Sequence, residues 1–307
     1  MSAGNDVLLA VRDLRVSFGT GDAATEVVHG VDVTVARGQR LALVGESGSG
    51  KSVTARAVLQ LDTDATLTGS VRLDGEELVG AAPRILRSVR GRRVGLVFQD
   101  PLTALNPVMR IGWQIMQPLL IRGVSKREAR MRGIALLERL GVQNAPERFD
   151  DYPHQFSGGM RQRVVIAIAV IAEPDLLIAD EPTTALDVQV QAQVLALLDE
   201  IADERGMGVL LITHDLGIVA GFAEHVTVMR HGAIIETQDV DSLFASPREA
   251  YTRGLLGAVP RIDGDSSVRL LSVDEIAVAP AGAAGAAAAS AVAAASALAD
   301  SDQGNPA

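Results

Sequence analysis

Gly45-Glu46-Ser47-Gly48-Ser49-Gly50-Lys51-Ser52 is the stretch on which the fold turns. It fits G-x-x-x-x-G-K-[ST], the pattern of a loop that cradles phosphate. Leu41-Ala42-Leu43-Val44 before it reads as a short buried strand, and Val53 to Leu61 after it as a helix. Small residues let the backbone wrap closely around an anion and turn successive N–H groups inward. The helix that follows adds the positive end of its dipole. Lys51 is then placed to reach the β- and γ-phosphates of a nucleotide, and the Ser52 hydroxyl to ligate Mg²⁺. A Gly/Ser-rich turn that merely ends in Lys-Ser has no need of the flanking strand and helix, so nucleotide binding is the reading.

Composition narrows the class. The 307 residues suffice for one large or two modest domains with a substantial core. Hydrophobic residues make up 48% of the chain, yet mean hydropathy is only +0.22 and no run of about 20 large apolar residues occurs. The most apolar run, Val164 to Ala172, lies between Arg161 and Arg163 on one side and Glu173-Pro174 on the other. A soluble chain, or one peripheral on a membrane, is expected, and Met1 to Asp6 shows no export signal. There is no cysteine, which excludes disulfides, thiolate metal sites and cysteine nucleophiles and fits a reducing cytoplasm. A net charge of −10 argues against nucleic acid as the main partner. The basic run Arg84, Arg87, Arg90, Arg92 and Arg93 reads more simply as the solvated face of a short helix that turns at Gly91 than as an RNA-facing patch.

In chain order, Val7 to Phe18 reads as a strand pair interrupted at Arg12-Asp13, with Gly19 to Asp22 a turn. Val27 to Val35 is another strand, with Val31, Val33 and Val35 on one face. Gly69 to Leu73 and Asp74 to Leu78 continue this antiparallel part, and Val94 to Phe98 is an apolar strand ending at Gln99-Asp100-Pro101. From Leu102 to Arg148 the period becomes helical, with Ile111, Ile115, Leu119 and Leu120, then Ile134, Leu137 and Leu140 at helix spacing. Phe156 to Arg163 opens an apolar helix. Asp175 to Glu181 is a buried strand ending in two carboxylates, Val188 to Glu204 a helix, and Gly208 to Thr213 a strand capped by His214-Asp215. Strands alternating with helices predict a largely parallel sheet with helices on both faces.

Ligands of such sheets bind at the carboxyl ends of the strands. The phosphate loop, Gln99, Asp180-Glu181 and His214 all fall there. Asp180 has the placement of a Walker B aspartate, able to hold Mg²⁺ opposite Ser52. Glu181, one residue on, points differently and can accept a proton from an attacking water. Two adjacent buried carboxylates need a compensating cation, which speaks against a mere acidic cap. His214 offers a donor or acceptor near a γ-phosphate, although a lone histidine without the other elements reads as a satisfied surface residue. Phe18, at a strand end before a turn, can stack on a nucleotide base, with core packing the equal alternative.

Gly45 to Ser52, Gln99, Phe156 to Gln162, Leu176 to Glu181, Ala185-Leu186-Asp187 and His214 stand in the order of the ATP-binding subunit of ABC transporters, and the chain resembles that family. The segments look like its Walker A, Q-loop, signature, Walker B, D-loop and H-loop. The discriminating one is Ser157-Gly158-Gly159-Met160, where a hydroxyl, bare glycine N–H groups and a helix N-terminus form a second anion site. The resemblance implies an α/β phosphate-loop NTPase core with an antiparallel β subdomain and a helical insert. It implies an ATPase using ATP and Mg²⁺. Phe18, Gly45 to Ser52, Gln99, Ser157 to Met160 and Asp187 then touch nucleotide, and Ser52, Gln99 and Asp180 the metal. Lys51, Glu181 and His214 are the catalytic set. In the family the signature caps the γ-phosphate bound by the opposite subunit, which implies a head-to-tail dimer closing over two ATP.

Phe98 to Pro107, Tyr152 to Met160, Ala179 to Val188 and Tyr251 to Leu256 resemble, more narrowly, the oligopeptide, dipeptide and nickel importers. The likeness is to the first of that system's two ATPase subunits, and covers most of residues 7 to 260. It implies transmembrane permease subunits, a paralogous ATPase partner, an indirect extracytoplasmic solute-binding protein, no nucleic acid, and a peripheral place on the cytoplasmic face of the membrane. The alternative is a soluble ABC ATPase acting on the ribosome or DNA. Two departures stand out. The signature reads Phe and Met where the wider family often has Leu and Gln, and no cysteine-bearing C-terminal extension is recognisable, so an iron–sulfur cluster is excluded. The expected domains are 1–260, an ABC ATPase with its helical insert at about 102–156, and 261–307, a C-terminal extension. From about Ala279 the extension is low-complexity Ala/Gly/Ser with nothing large to bury, and disorder is expected.

Overall fold

The computed structural model describes residues 6–258 apart from 184, 185 and 187, so Asp187 and the 261–307 extension with its Ala-rich tail lie outside the described residues. Contacts divide the chain into two units, one of residues up to Gln39 with Ser52–Ile212, the other of Arg40–Lys51 with Thr213 onward.

In the first unit, valine-rich alternation builds an antiparallel sheet. β1 (Val7–Phe18) pairs with β2 (Thr25–Ala36) on one side and β4 (Ala65–Leu73) on the other, and β5 (Glu76–Glu77) follows β4 through Asp74-Gly75. Val31, Val33 and Val35 are buried on one face of β2, as their spacing predicts. The expected strand pair at Val7 to Phe18 is instead one strand. Asp13 takes a φ of 42°, the register slips between Val11 and Leu14, and the Asp13 N–H donates to Asp32 Oδ1 at 3.1 Å. A bulge absorbs the polar pair without ending the strand.

Three parallel strands follow, β6 (Val94–Val97), β7 (Leu176–Asp180) and β8 (Gly208–Thr213), with β7 in the middle. Every residue of β7 and β8 is buried, which is why they read as unbroken apolar runs rather than alternating ones. α1 (Lys51–Val58) and α2 (Pro83–Val89) precede β6, and α8 (Val188–Arg205) links β7 to β8. Between β6 and β7 lie α3 (Pro101–Ala104), α4 (Ile111–Ile121), α5 (Lys126–Arg139), α6 (Ala145–Arg148) and α7 (Gly158–Val170).

The packing of α4 on α5 centres on Phe149, which is fully buried. A Cβ on Gly112 would lie 2.0 Å from the Phe149 ring, and one on Gly133 2.8 Å from it. Gly133 therefore takes the buried position next to the expected Ile134, which is only half-buried, and the buried line of α5 runs Ala129, Gly133, Leu137. The aromatic ring fills the slot that two missing side chains leave.

In the second unit β3 (Arg40–Val44) runs parallel to β9 (His225–Arg230), and β10 (Ala233–Asp239) returns antiparallel to β9. α9 (Leu216–Phe222), α10 (Val240–Ala245) and α11 (Ala250–Gly257) complete it, and Val44, Val226, Val228, Leu243, Phe244 and Tyr251 share its core. A buried carboxylate lies in this unit too. Glu236 of β10, 6% exposed, accepts from Thr252 Oγ1 at 2.5 Å, Gln238 Nε2 at 2.6 Å, and the N–H groups of Arg248 at 2.7 Å and Glu249 at 3.1 Å. Burial pushes its carboxyl up, but these donors outweigh burial and hold it below its ordinary value of 4.5.

A depressed carboxyl stabilises the fold above its unfolded value, and that contribution is lost as pH falls through the folded one. Glu236→Gln should therefore lower stability by about 2 kcal/mol at neutral pH, the scale of hydrogen bonds to a charged group. Urea midpoints of the two proteins should converge as pH falls below 4.5. A gap that stays constant in acid would show that the charge is not what matters.

Candidate active site

The loop between β3 and α1 owes its shape to what stands behind it. Gly45 has a φ of 155°, and a Cβ there would fall 2.1 Å from the Met229 carbonyl, so only glycine fits. Gly48 lies in open space, but its φ of 80° favours glycine all the same. The Gly232 N–H, from the β9–β10 turn, donates to the Ser49 carbonyl at 2.9 Å. The Glu46 N–H donates to the Tyr251 hydroxyl oxygen at 3.1 Å. Lys51 is 5% exposed, and its ammonium folds back along the loop, donating to the carbonyls of Gly45 and Glu46 at 2.7 Å each and to Ser49 Oγ at 3.3 Å. α1 starts at Lys51, so the loop leads straight into the N-terminal turn of a helix, the positive end of its dipole. Such a loop binds an anion.

The next residue, Ser52, begins the other part of the constellation. Its hydroxyl donates to Asp180 Oδ1 at 2.9 Å across 128 residues of sequence, and Asp180, 6% exposed, is the last residue of β7. Glu181 follows with a φ of 48°, its N–H donating to the Ile212 carbonyl of β8 at 2.8 Å. Its carboxylate has a different partner from Asp180's: Gln99 Nε2 donates to Glu181 Oε2 at 2.9 Å. A hydroxyl and a carboxylate converging in this way are hard oxygen donors that fit Mg²⁺, which dehydrates reluctantly and takes only one or two carboxylates alongside substrate phosphates. Among the described residues no group of three or more His, Asp or Glu could hold a metal by itself, and a Mg²⁺–nucleotide site needs none. The amide of Gln99 meets Glu181 through its nitrogen, leaving Oε1 as the only end that can ligate a cation.

Ser157 caps α7, its Oγ accepting from the Met160 N–H at 3.3 Å. Ser157 and Gly158 are exposed, and a Cβ on Gly158 would meet nothing, so the first turn of α7 is open to an approaching anion. Beside it lies a cleft of about 390 Å³, lined among others by Ser157, Gly159, Met160, Arg148 and Arg163. His214 is exposed just past β8, where Asp215 caps α9 through the Gly217 N–H at 2.8 Å. Phe18 ends β1 opposite Thr25 and Ala65, half-buried rather than sealed in a core. Of the predicted residues, Gly45 to Lys51 come together as a cradle, Ser52 pairs with Asp180, and Gln99 pairs with Glu181. Tyr251 and the Met229–Gly232 turn brace the cradle without being foreseen. Tyr251 drew notice only for its likeness within Tyr251 to Leu256, and no spacing rule connects it with Glu46.

The profile of the ABC transporter family matches residues 28–184. The oligopeptide transport ATP-binding protein OppD of Bacillus subtilis (strain 168) is 44% identical over 270 residues, 87% of this chain and 75% of the relative. OppD of Salmonella typhimurium is 45% identical over 267 residues, 86% and 80% of the two chains. A Brucella abortus (strain 2308) chain provisionally named a peptide import ATP-binding protein is 50% identical over 261 residues, 84% and 79%. Among solved structures, the ATP-binding cassette MJ0796, a dimer in a post-hydrolysis state bound to ADP and phosphate, superposes with a TM-score of 0.69 at 26% identity. That match covers 76% of this chain and 99% of the cassette.

Proposed function

The chain belongs to the ABC transporter family, and from that premise we propose that it is the ATP-hydrolysing subunit that energises import of peptides or related small solutes. The solute class is supported by the relatives, named for peptide and oligopeptide transport and matched over most of both chains. The chemistry is carried by one observation. A serine hydroxyl directly after a phosphate loop meets a buried strand-end carboxylate at 2.9 Å.

On this reading the loop Gly45 to Ser52 and the Lys51 ammonium bind the β- and γ-phosphates, and Phe18 stacks on adenine. Mg²⁺, held by Ser52 and Asp180 with Gln99 Oε1 at hand, supplies neutralisation of phosphate charge when bound. Glu181 accepts the proton of the attacking water, Gln99 orients that carboxylate, and His214 stands by the γ-phosphate. Ser157 to Met160 and Asp187 serve the ATP held by the opposite subunit, so hydrolysis needs a head-to-tail dimer with a second ATPase, a paralogue. The ATPase domain spans 1–260, and its insert at about 102–156 passes closure to permease subunits. Residues 261–307 form the C-terminal extension. The subunit sits peripherally on the cytoplasmic face, served indirectly by an extracytoplasmic solute-binding protein and without nucleic acid.

Affinity purification from membranes of the source cell tests this directly. Permease subunits and a second ATPase of the same family should co-purify. Ribosomes or DNA in their place would sink the transport reading and favour a soluble ABC ATPase.

A further inference from the structure

The phosphate loop is held from behind as well as shaped by its own glycines, and part of that support is a side chain of α11. Tyr251 is 3% exposed, and its ring lies under the Arg230 guanidinium at 4.6 Å. Its hydroxyl oxygen takes the N–H of Glu46, the second residue of the loop. The next residue, Thr252, is bonded to Glu236, which also takes the N–H groups of Arg248 and Glu249 just ahead of α11. The start of α11 is thus fastened to β10 by a buried carboxylate, and Tyr251 projects from that fastened turn to the loop. The Gly232 N–H holds Ser49 from the same side.

We propose that Tyr251 is a positioning residue for the nucleotide. By holding the Glu46 N–H it sets where the loop leaves β3, and with it the aim of the N–H groups that follow. It touches no phosphate itself. The inference rests on the reading of Gly45 to Ser52 as the ATP site. Binding that needs several N–H groups aimed together is strongest when they are ordered beforehand. Without the hydroxyl, the loop would spend part of its time aimed elsewhere, and phosphate affinity would fall.

Tyr251→Phe keeps the ring, its burial and the stack with Arg230, and removes only the hydroxyl. The whole chain, its Tyr251→Phe variant and a Lys51→Ala variant would be titrated with fluorescently labelled ATP, and with inorganic tripolyphosphate as competitor. Tyr251→Phe should weaken both probes about fivefold, the size of one neutral hydrogen bond at 1.4 kcal/mol per tenfold. KM for ATP should rise by a similar factor while kcat moves less, and the unliganded thermal midpoint should stay near that of the parent. Amide exchange at Glu46 should accelerate while β3 amides keep their protection.

Unchanged affinity for both probes overturns the proposal. So does a loss for ATP without one for tripolyphosphate, since that would place Tyr251 against the base or sugar. If Lys51→Ala binds as the parent does, the ATP-site reading itself fails. If only Tyr251→Phe does, that reading stands and the positioning role falls.

Discussion

Glu181→Gln should bind ATP as tightly as the parent and still form the ATP-dependent dimer, yet lose turnover by about 10²- to 10⁴-fold, the range general-base catalysis contributes. The substitution is nearly isosteric. Gln99 Nε2 can donate to an amide oxygen as it does to Glu181 Oε2 at 2.9 Å, and the N–H of residue 181 keeps its bond to the Ile212 carbonyl at 2.8 Å. What disappears is the group proposed to take the proton. Ser52 and Asp180 are untouched, so metal and phosphate binding should persist. Phosphate release from the purified variant measures the loss, and size-exclusion chromatography with and without ATP measures the dimer. Full hydrolysis by Glu181→Gln would remove Glu181 from the role of base.

Lys51→Ala should fail one step earlier. The Lys51 ammonium lies 2.7 Å from two of the loop's own carbonyls. A bound triphosphate would draw it into charge-assisted hydrogen bonds worth about 1.5–3 kcal/mol each. Losing two of them lowers affinity by about 10²-fold or more. Titration with labelled ATP reads this without any need for catalysis. The two variants therefore separate cleanly: one holds ATP and does not cleave it, the other does not hold it.

The parts of the site that were legible in the sequence are those packed into consecutive residues. Gly45 to Ser52 could be read because glycine spacing, a lysine and the flanking elements sit within about twenty positions. The meeting of Ser52 with Asp180 was anticipated across 128 residues only because strand-end polar residues in a parallel sheet gather on one side. Other features depend on tertiary neighbours that leave no local mark. Gly112 and Gly133 look like weak points in helices until Phe149 is seen filling the space beside both. Arg12-Asp13 looked like a break in a strand, whereas Asp32 on the neighbouring strand turns it into a bulge. Tyr251 stood out only within the likeness of Tyr251 to Leu256, because a hydroxyl's partner cannot be inferred from period or composition.

The backbone at Glu181 has a consequence for how this sequence can change. A φ of 48° disfavours a side chain by about 1–2 kcal/mol, and glycine would be free of that penalty. With Glu181 as the proposed base, position 181 is a place where backbone strain and turnover select opposite residues. On the proposed reading, relief of the backbone strain favours glycine there, whereas turnover and the bond from Gln99 Nε2 at 2.9 Å favour the carboxylate. A relative that had lost its enzymatic duty but kept its structural one would be expected to change here early, its dimer surfaces intact.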